Sequence, residues 1–447
     1  MTMQDERQQP VGVLRNAKQA GEAHAKDLGW VERSVWTDRM LDALERGVKG
    51  GVWFSLIDKV YRPTTLYAAW RGVKRNGGSA GSDHQSIKAF EGKLEGELTR
   101  LEQELTQGTY KPRPVWRAYI DKPGSKDKRP LGIPAVRDRV VQAALRLVIE
   151  PIFEREFAPN SYGFRPGRGC KDALREVDRL LKAGYTQVVD ADLSAYFDSI
   201  PHDRLMDEIG KYIADGRVLQ VIEGFLKQDI MDGMSHWSPE EGSPQGAVIS
   251  PLLSNLYLHP VDMIMAETGF EMIRYADDLV IMCRTGEEAQ RALELLRQLV
   301  NERGLSLHPV KTRLVDMTVA GQGFEFLGYR FADGTRRPRS KSMKKLKETI
   351  RVKTRRSNGK SLDAIIENVN VTLKGWFEYF KHSNKWTFPV IDGWLRRRLR
   401  SILRQRMRLK GISKRSDHLR WPNRFFQEHG LFSLDRAHKF LCQSLTR

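Results

Sequence analysis

The tetrapeptide Tyr275-Ala276-Asp277-Asp278 sits between two apolar runs, Met272-Ile273 and Leu279-Val280-Ile281-Met282. The pattern reads as two strands meeting at a turn, with adjacent carboxylates at its tip. Like charges repel, so a strand pair that buries one face gains nothing from them unless a cation lies between them. Asp oxygens are hard ligands of the kind Mg²⁺ prefers, and Mg²⁺ usually completes its shell with waters and substrate phosphates. A solvated turn rich in Asp is the competing reading while the tetrapeptide stands alone.

A second carboxylate strand lies upstream. Thr186-Gln187-Val188-Val189-Asp190-Ala191-Asp192-Leu193 is β-branched and apolar, and strand alternation puts Asp190 and Asp192 on one face. The run continues through Ser194-Ala195-Tyr196-Phe197-Asp198-Ser199-Ile200 to Pro201, which bends the chain away. Brought beside the Asp277-Asp278 hairpin, such a strand would complete a three-carboxylate cage for two metal ions, the arrangement suited to nucleotidyl transfer.

Five further blocks accompany these two: Leu131-Gly132-Ile133-Pro134, Ser161-Tyr162-Gly163-Phe164-Arg165-Pro166-Gly167, Gly242-Ser243-Pro244-Gln245-Gly246 with Ile249-Ser250-Pro251-Leu252-Leu253, Pro309-Val310-Lys311-Thr312, and Phe326-Leu327-Gly328-Tyr329. Taken in order, all seven resemble the successive blocks of a bacterial group II intron reverse transcriptase. The match runs over most of the chain. The resemblance implies an α+β right-hand polymerase, with fingers and palm around a small antiparallel sheet and a C-terminal α-helical thumb, the X or maturase domain. It also implies RNA-directed DNA synthesis coupled to binding of the intron RNA, which assists splicing and retrohoming. The implied partners are group II intron RNA, an RNA template with a DNA primer, dNTPs and a DNA target site; oligomeric state is left open.

The resemblance assigns roles residue by residue. Asp192 and Asp277 would hold two Mg²⁺ ions, with Mn²⁺ as an alternative ion, and Asp278 would complete the charge. Lys311 is the candidate proton donor to the leaving group. Lys122 and Arg129, on a basic loop before Pro130, would clamp the triphosphate. Phe197 would press against the sugar and exclude a 2′-hydroxyl, while Gln245 would contact the nucleotide or templating base. Arg165 and Arg168, among glycines that permit close backbone approach, would reach nucleic-acid phosphates. For the glycine-containing blocks a plain structural turn is the competing reading.

Composition agrees with a nucleic-acid partner. Lys and Arg number 75 against 56 Asp and Glu, a formal charge of +19, and that surplus attracts polyanions. The three cysteines, Cys170, Cys283 and Cys442, are too few and too far apart for a disulfide framework or a zinc pattern. No apolar stretch reaches the roughly 18 residues of a membrane span, and no signal core opens the chain, so a cytoplasmic location without membrane contact is expected.

Composition shifts also divide the chain. A flexible polar segment is expected over 1–50, an N-terminal extension and fingers over 51–185, and the palm over 186–335. A helical thumb follows over 336–412, then a basic tail over 413–447 without an endonuclease constellation. Thumb helices are expected at 342–353, 362–380 and 391–409. In the last of these, Leu395, Leu399, Ile402, Leu403 and Met407 form an apolar stripe, and the other faces carry arginines of one sign. Arg397, Arg400, Arg404 and Arg408 are expected to grip RNA phosphates. Two rivals remain: another bacterial reverse transcriptase of retron, diversity-generating or defence type, and an RNA-binding splicing factor without polymerase activity.

Overall fold

The computed structural model describes residues 28–48, 50–121, 128–409 and 415–445, and the chain divides into two compact units, Met1–Val315 and Asp316–Arg447. Strands of the first unit are β1 (Val115–Asp121), β2 (Lys128–Ile133), β3 (Gln187–Asp192), β4 (Ile230–Asp232), β5 (Ser235–Trp237), β6 (Glu271–Tyr275), β7 (Asp278–Cys283) and β8 (Arg313–Asp316), the last running to the unit boundary. They form two four-stranded sheets, β2-β1-β4-β5 and β6-β7-β3-β8.

The second of these sheets is the palm expected from the sequence. β7 pairs antiparallel with both β6 and β3, and the register sets Asp192 directly opposite Asp278. Val189 and Ala191 are buried on one face, whereas Asp190 and Asp192 on the other are half-exposed; Val188, farther down the carboxylate face, is buried as well. A long helix, Val136–Glu156, runs through the core of this unit, and its apolar residues Val140, Val141, Ala144, Leu145 and Val148 are fully buried. A second buried helix, Ser250–Glu267, follows the Gly242–Gly246 block and is apolar on most of its surface.

The second unit holds a three-stranded antiparallel sheet, β9 (Gly323–Phe326), β10 (Tyr329–Ala332) and β11 (Thr335–Pro338), in the order β11-β10-β9. Its main helices are Ser340–Lys353, Leu362–Phe380 and Thr387–Arg406, close to the expected spans. Two boundaries differ from expectation. The compact-unit division falls after Val315, and β9 to β11 join the helices because Tyr329 and Tyr379 exchange hydrogen bonds, each hydroxyl donating to a carbonyl of the other segment. The segment expected as a basic tail is instead part of the helical core: Trp421, Phe426 and Leu434 are buried with Leu395, Leu399 and Ile402. Those three side chains cover the apolar stripe that would otherwise face water.

Candidate active site

The two carboxylate elements meet as predicted. β6 and β7 are joined by a two-residue turn, Ala276-Asp277, with Tyr275 and Asp278 as the closing pair. Ala276 has φ of 59°, a left-handed conformation that an alanine adopts only where its surroundings impose it. Burial pushes the Asp277 carboxyl above the ordinary carboxylate range, and the Asp192 charge adds to that rise. Its own backbone N–H, Arg129 and Arg274 pull in the opposite direction. Asp192 and Asp277 therefore share one electrostatic site.

Cations on the neighbouring segment balance β3. Lys311 Nζ lies 2.7 Å from Asp192 Oδ2, and Arg313 donates two hydrogen bonds to Asp190 Oδ2 at 2.9 and 3.1 Å. Asp190 and Asp192 are two positions apart, as are Lys311 and Arg313, so the spacing of the cations matches that of the carboxylates. His308 N–H donates to the Asp192 carbonyl at 2.8 Å and fixes this segment beside it. Arg313 had escaped the sequence reading, since its partner is set by strand pairing rather than by proximity in the chain.

The donor set suits a divalent metal of the Mg²⁺ type. Asp277 is half-buried and crowded by a like charge, which is the electrostatic condition that a bound cation relieves. Among the described residues, however, no three His, Cys, Asp or Glu side chains gather closely enough to cage a metal. Of the three carboxylates expected to hold metal, Asp192 and Asp277 act on each other electrostatically and Asp278 lies across the ladder from Asp192.

The Gly242–Gly246 block joins the two sheets. Gln245 Oε1 accepts from Arg129 Nε at 2.7 Å, while Gln245 Nε2 donates to Asp198 Oδ2 at 3.4 Å. The Gln245 carbonyl accepts from Gly132 N–H at 2.7 Å. A Cβ at Gly246, where φ is 112°, would lie 2.4 Å from the Gly132 carbonyl, so only glycine permits this approach. Arg129 and Gln245, chosen from separate blocks, are hydrogen-bonded neighbours. Phe197 lies beyond Asp192 in the 3₁₀ turn Tyr196–Asp198, with 8% of its surface exposed, and its carbonyl accepts from Ser243 N–H at 2.6 Å. Lys122 lies outside the described residues.

Several expected phosphate contacts are corrected. Arg165 is buried: its guanidinium is bidentate to Glu154 and also donates to the Ala158 and Ser161 carbonyls at 2.5 and 2.8 Å. It closes the turn before Pro166 instead of facing a ligand. Arg168 is half-buried over the Tyr162 ring and donates to the Pro159 carbonyl. In the helix Thr387–Arg406, Arg400 is 2% exposed and donates to the Trp421 carbonyl at 2.9 Å. Arg404 is paired with Asp417 through two bonds of 2.8 and 2.9 Å. Both anchor the segment once expected to be a tail. Arg397 and Arg408 are exposed, as a phosphate grip requires.

Comparison with known proteins agrees with this geometry. Residues 120–331 match the family model described as reverse transcriptase (RNA-dependent DNA polymerase), and residues 343–421 match the group II intron maturase-specific domain. The group II intron-encoded protein LtrA of Lactococcus lactis subsp. cremoris is 33% identical over 61% of this chain and 46% of its own length. The chain thus spans about half of that relative. Protein YkfC of Escherichia coli is 34% identical over 65% of this chain and 85% of its own length. An uncharacterized 91 kDa protein in the cob intron of Schizosaccharomyces pombe is 40% identical over 37% of this chain and 20% of its own. The order of blocks, the palm hairpin and both domain matches agree: the chain belongs to the group II intron-encoded reverse transcriptase and maturase family.

Proposed function

We propose that this chain is an RNA-directed DNA polymerase that also binds its group II intron RNA and assists its splicing and retrohoming. The observation that carries the polymerase half is the shared site of Asp192, on a palm strand, and Asp277, on the turn of the hairpin paired with it, next to the hydrogen-bonded Arg129 and Gln245. The maturase half rests on the match over residues 343–421. Its partners are the intron RNA, an RNA template with a DNA primer, dNTPs and a DNA target site, and its place of work is the cytoplasm. Among the described residues no helix is long and apolar enough to cross a membrane.

Asp192 and Asp277 would hold divalent metal, Mg²⁺ by the hardness of the donors, with Asp278 adding charge across the ladder. When bound, two such ions supply activation of the primer 3′-hydroxyl and neutralisation of the leaving pyrophosphate. The protein's own contribution is orientation. Arg129, held by Gln245, presents its guanidinium to the triphosphate, and Gln245 is in turn oriented by Asp198. Lys311, within hydrogen-bond distance of Asp192, carries the proton that the leaving oxygen takes. Phe197, backed by Tyr196 at a ring distance of 5.4 Å, forms the wall against the sugar.

The direct test is Asp277→Asn in primer extension with Mg²⁺, with RNA affinity measured in parallel. Extension is lost while RNA affinity stays within about twofold, because the charge removed is confined to the palm. Substantial extension by the folded variant would remove Asp277 from the metal site.

A further inference from the structure

Asp277 sits on a turn that the hairpin alone does not hold. Its backbone partner, Ala276, is left-handed and 5% exposed, and a two-residue connection of this kind is ordinarily built from glycine or asparagine. Something else over-determines it. Arg274, on β6 two residues earlier, is 1% exposed, and its Nη1 donates to the Ala276 carbonyl at 3.0 Å. The same Nη1 donates to Asn255 Oδ1 at 3.0 Å, and Asn255 Nδ2 donates to the Gly163 carbonyl at 2.6 Å. Gly163 then closes the ring sterically: a Cβ there would lie 2.3 Å from Ala276 N. The stretch before Gly163 adds backbone pairing, with Tyr162 N–H donating to the Arg274 carbonyl at 2.9 Å and Arg274 N–H to the Asn160 carbonyl at 3.0 Å.

A buried guanidinium needs a counter-charge. Arg274 Nε donates to Asp262 Oδ1 at 2.7 Å, and its Nη2 donates to Oδ2 of the same carboxylate, which is fully buried. Filling this volume with an apolar side chain would cost the core less than desolvating an ion pair. An apolar side chain could not, however, hold a carbonyl at a fixed point. The network therefore has a geometric output, and its end point is the residue bonded to Asp277.

We propose that Arg274 and Asn255 form a buried clamp that fixes the Ala276-Asp277 turn, and that both are positioning residues for the metal-binding carboxylate of Asp277. The inference rests on the polymerase reading of the site. It also explains what the Ser161–Gly167 block contributes: Gly163 is the backstop of the turn, and Arg165 holds that block through Glu154.

The test compares wild type, Asn255→Ala and Arg274→Lys, using the whole chain. Amide hydrogen exchange of a peptide covering 272–279 reports the turn directly, and a peptide covering 187–192 reports the adjoining strand. In Asn255→Ala the turn peptide exchanges about tenfold faster while the strand peptide is unchanged. Primer extension shows kcat reduced about 10- to 100-fold with KM for dNTP within about threefold, since small misplacements at a reacting centre act on kcat. The Mg²⁺ concentration for half-maximal rate rises several-fold in the same variant. Arg274→Lys retains charge but not the fork, and its kcat lies between the other two. If Arg274→Lys fails to fold, Asn255→Ala still decides. Unchanged exchange in the turn overturns the clamp, and faster exchange with unchanged kcat overturns its positioning role. Failure of wild type to extend a primer overturns the polymerase reading, while the exchange comparison still reports on the clamp.

Discussion

Replacing Arg404 by methionine separates a structural arginine from an RNA-gripping one. In the folded chain the Arg404 side chain is 9% exposed and Asp417 only 3%, with two hydrogen bonds of 2.8 and 2.9 Å between them. Arg404→Met strips the guanidinium from a carboxylate that stays out of water. Removing one partner of a buried pair costs about 3–5 kcal/mol, most of it the penalty on the group left behind. For a unit of this size that lowers its melting transition by on the order of 10 °C. Exposed Arg397 behaves oppositely: Arg397→Gln changes stability by no more than about 0.5 kcal/mol. Calorimetry of the full chain measures the transitions, and RNA titration at several salt concentrations measures the grip. Arg397→Gln and Arg408→Gln together flatten the log–log salt dependence by roughly 0.7 to 0.9 per lost phosphate contact, whereas Arg404→Met leaves the slope unchanged. Adding Asp417→Leu to Arg404→Met recovers most of the lost stability, because no uncompensated charge remains. A full-strength melting transition with a flattened salt slope in Arg404→Met would refute the assignment and return Arg404 to the RNA surface.

Three further outcomes are expected. Phe197→Ala raises ribonucleotide use much more than it lowers deoxynucleotide use, read as the ratio of kcat/KM for the two sugars with circular dichroism confirming the fold; an unchanged ratio makes the ring only core packing. Asp138, fully buried against Tyr110 and the Arg113 N–H, has its carboxyl pushed up to about 6 chiefly by burial. A raised folded value means that the protonated form is favoured by folding, so this contribution is present below about pH 4 and is lost as pH rises toward 6. It amounts to about 3 kcal/mol, and Asp138→Asn removes that slope from thermal melts across the window. Gly246→Ala places a Cβ 2.4 Å from the Gly132 carbonyl, so it separates Gln245 from Arg129 and raises KM for dNTP without loss of RNA binding.

The palm was legible because its determinants are local. Alternation in Thr186–Leu193, two apolar runs around Asp277-Asp278 and a two-residue connection define both strands and the face their carboxylates share. Arg129 and Gln245 each stood out in their own segments, but the hydrogen bond that joins them across 116 positions was not foreseeable from either block. The thumb helices followed from their apolar spacing in the same way.

Arginine side chains resisted this reading for one physical reason. A guanidinium reaches far and has five donors, so its role depends on which acceptors the fold delivers, and those acceptors come from distant segments. Helix periodicity places Arg400 and Arg404 off the apolar stripe, yet Asp417, the Trp421 carbonyl and Asn423 are folded onto that face and bury both. Arg165 meets Glu154 from the preceding helix, and Arg274 meets Asp262 and Asn255 from another. By itself, then, the sequence determined the strands, the acidic pair and the polyanion-seeking charge, all set by neighbours along the chain. Only the tertiary structure decided which cations face solvent and which are spent on buried carboxylates and carbonyls, because that choice depends on partners that chain order keeps apart.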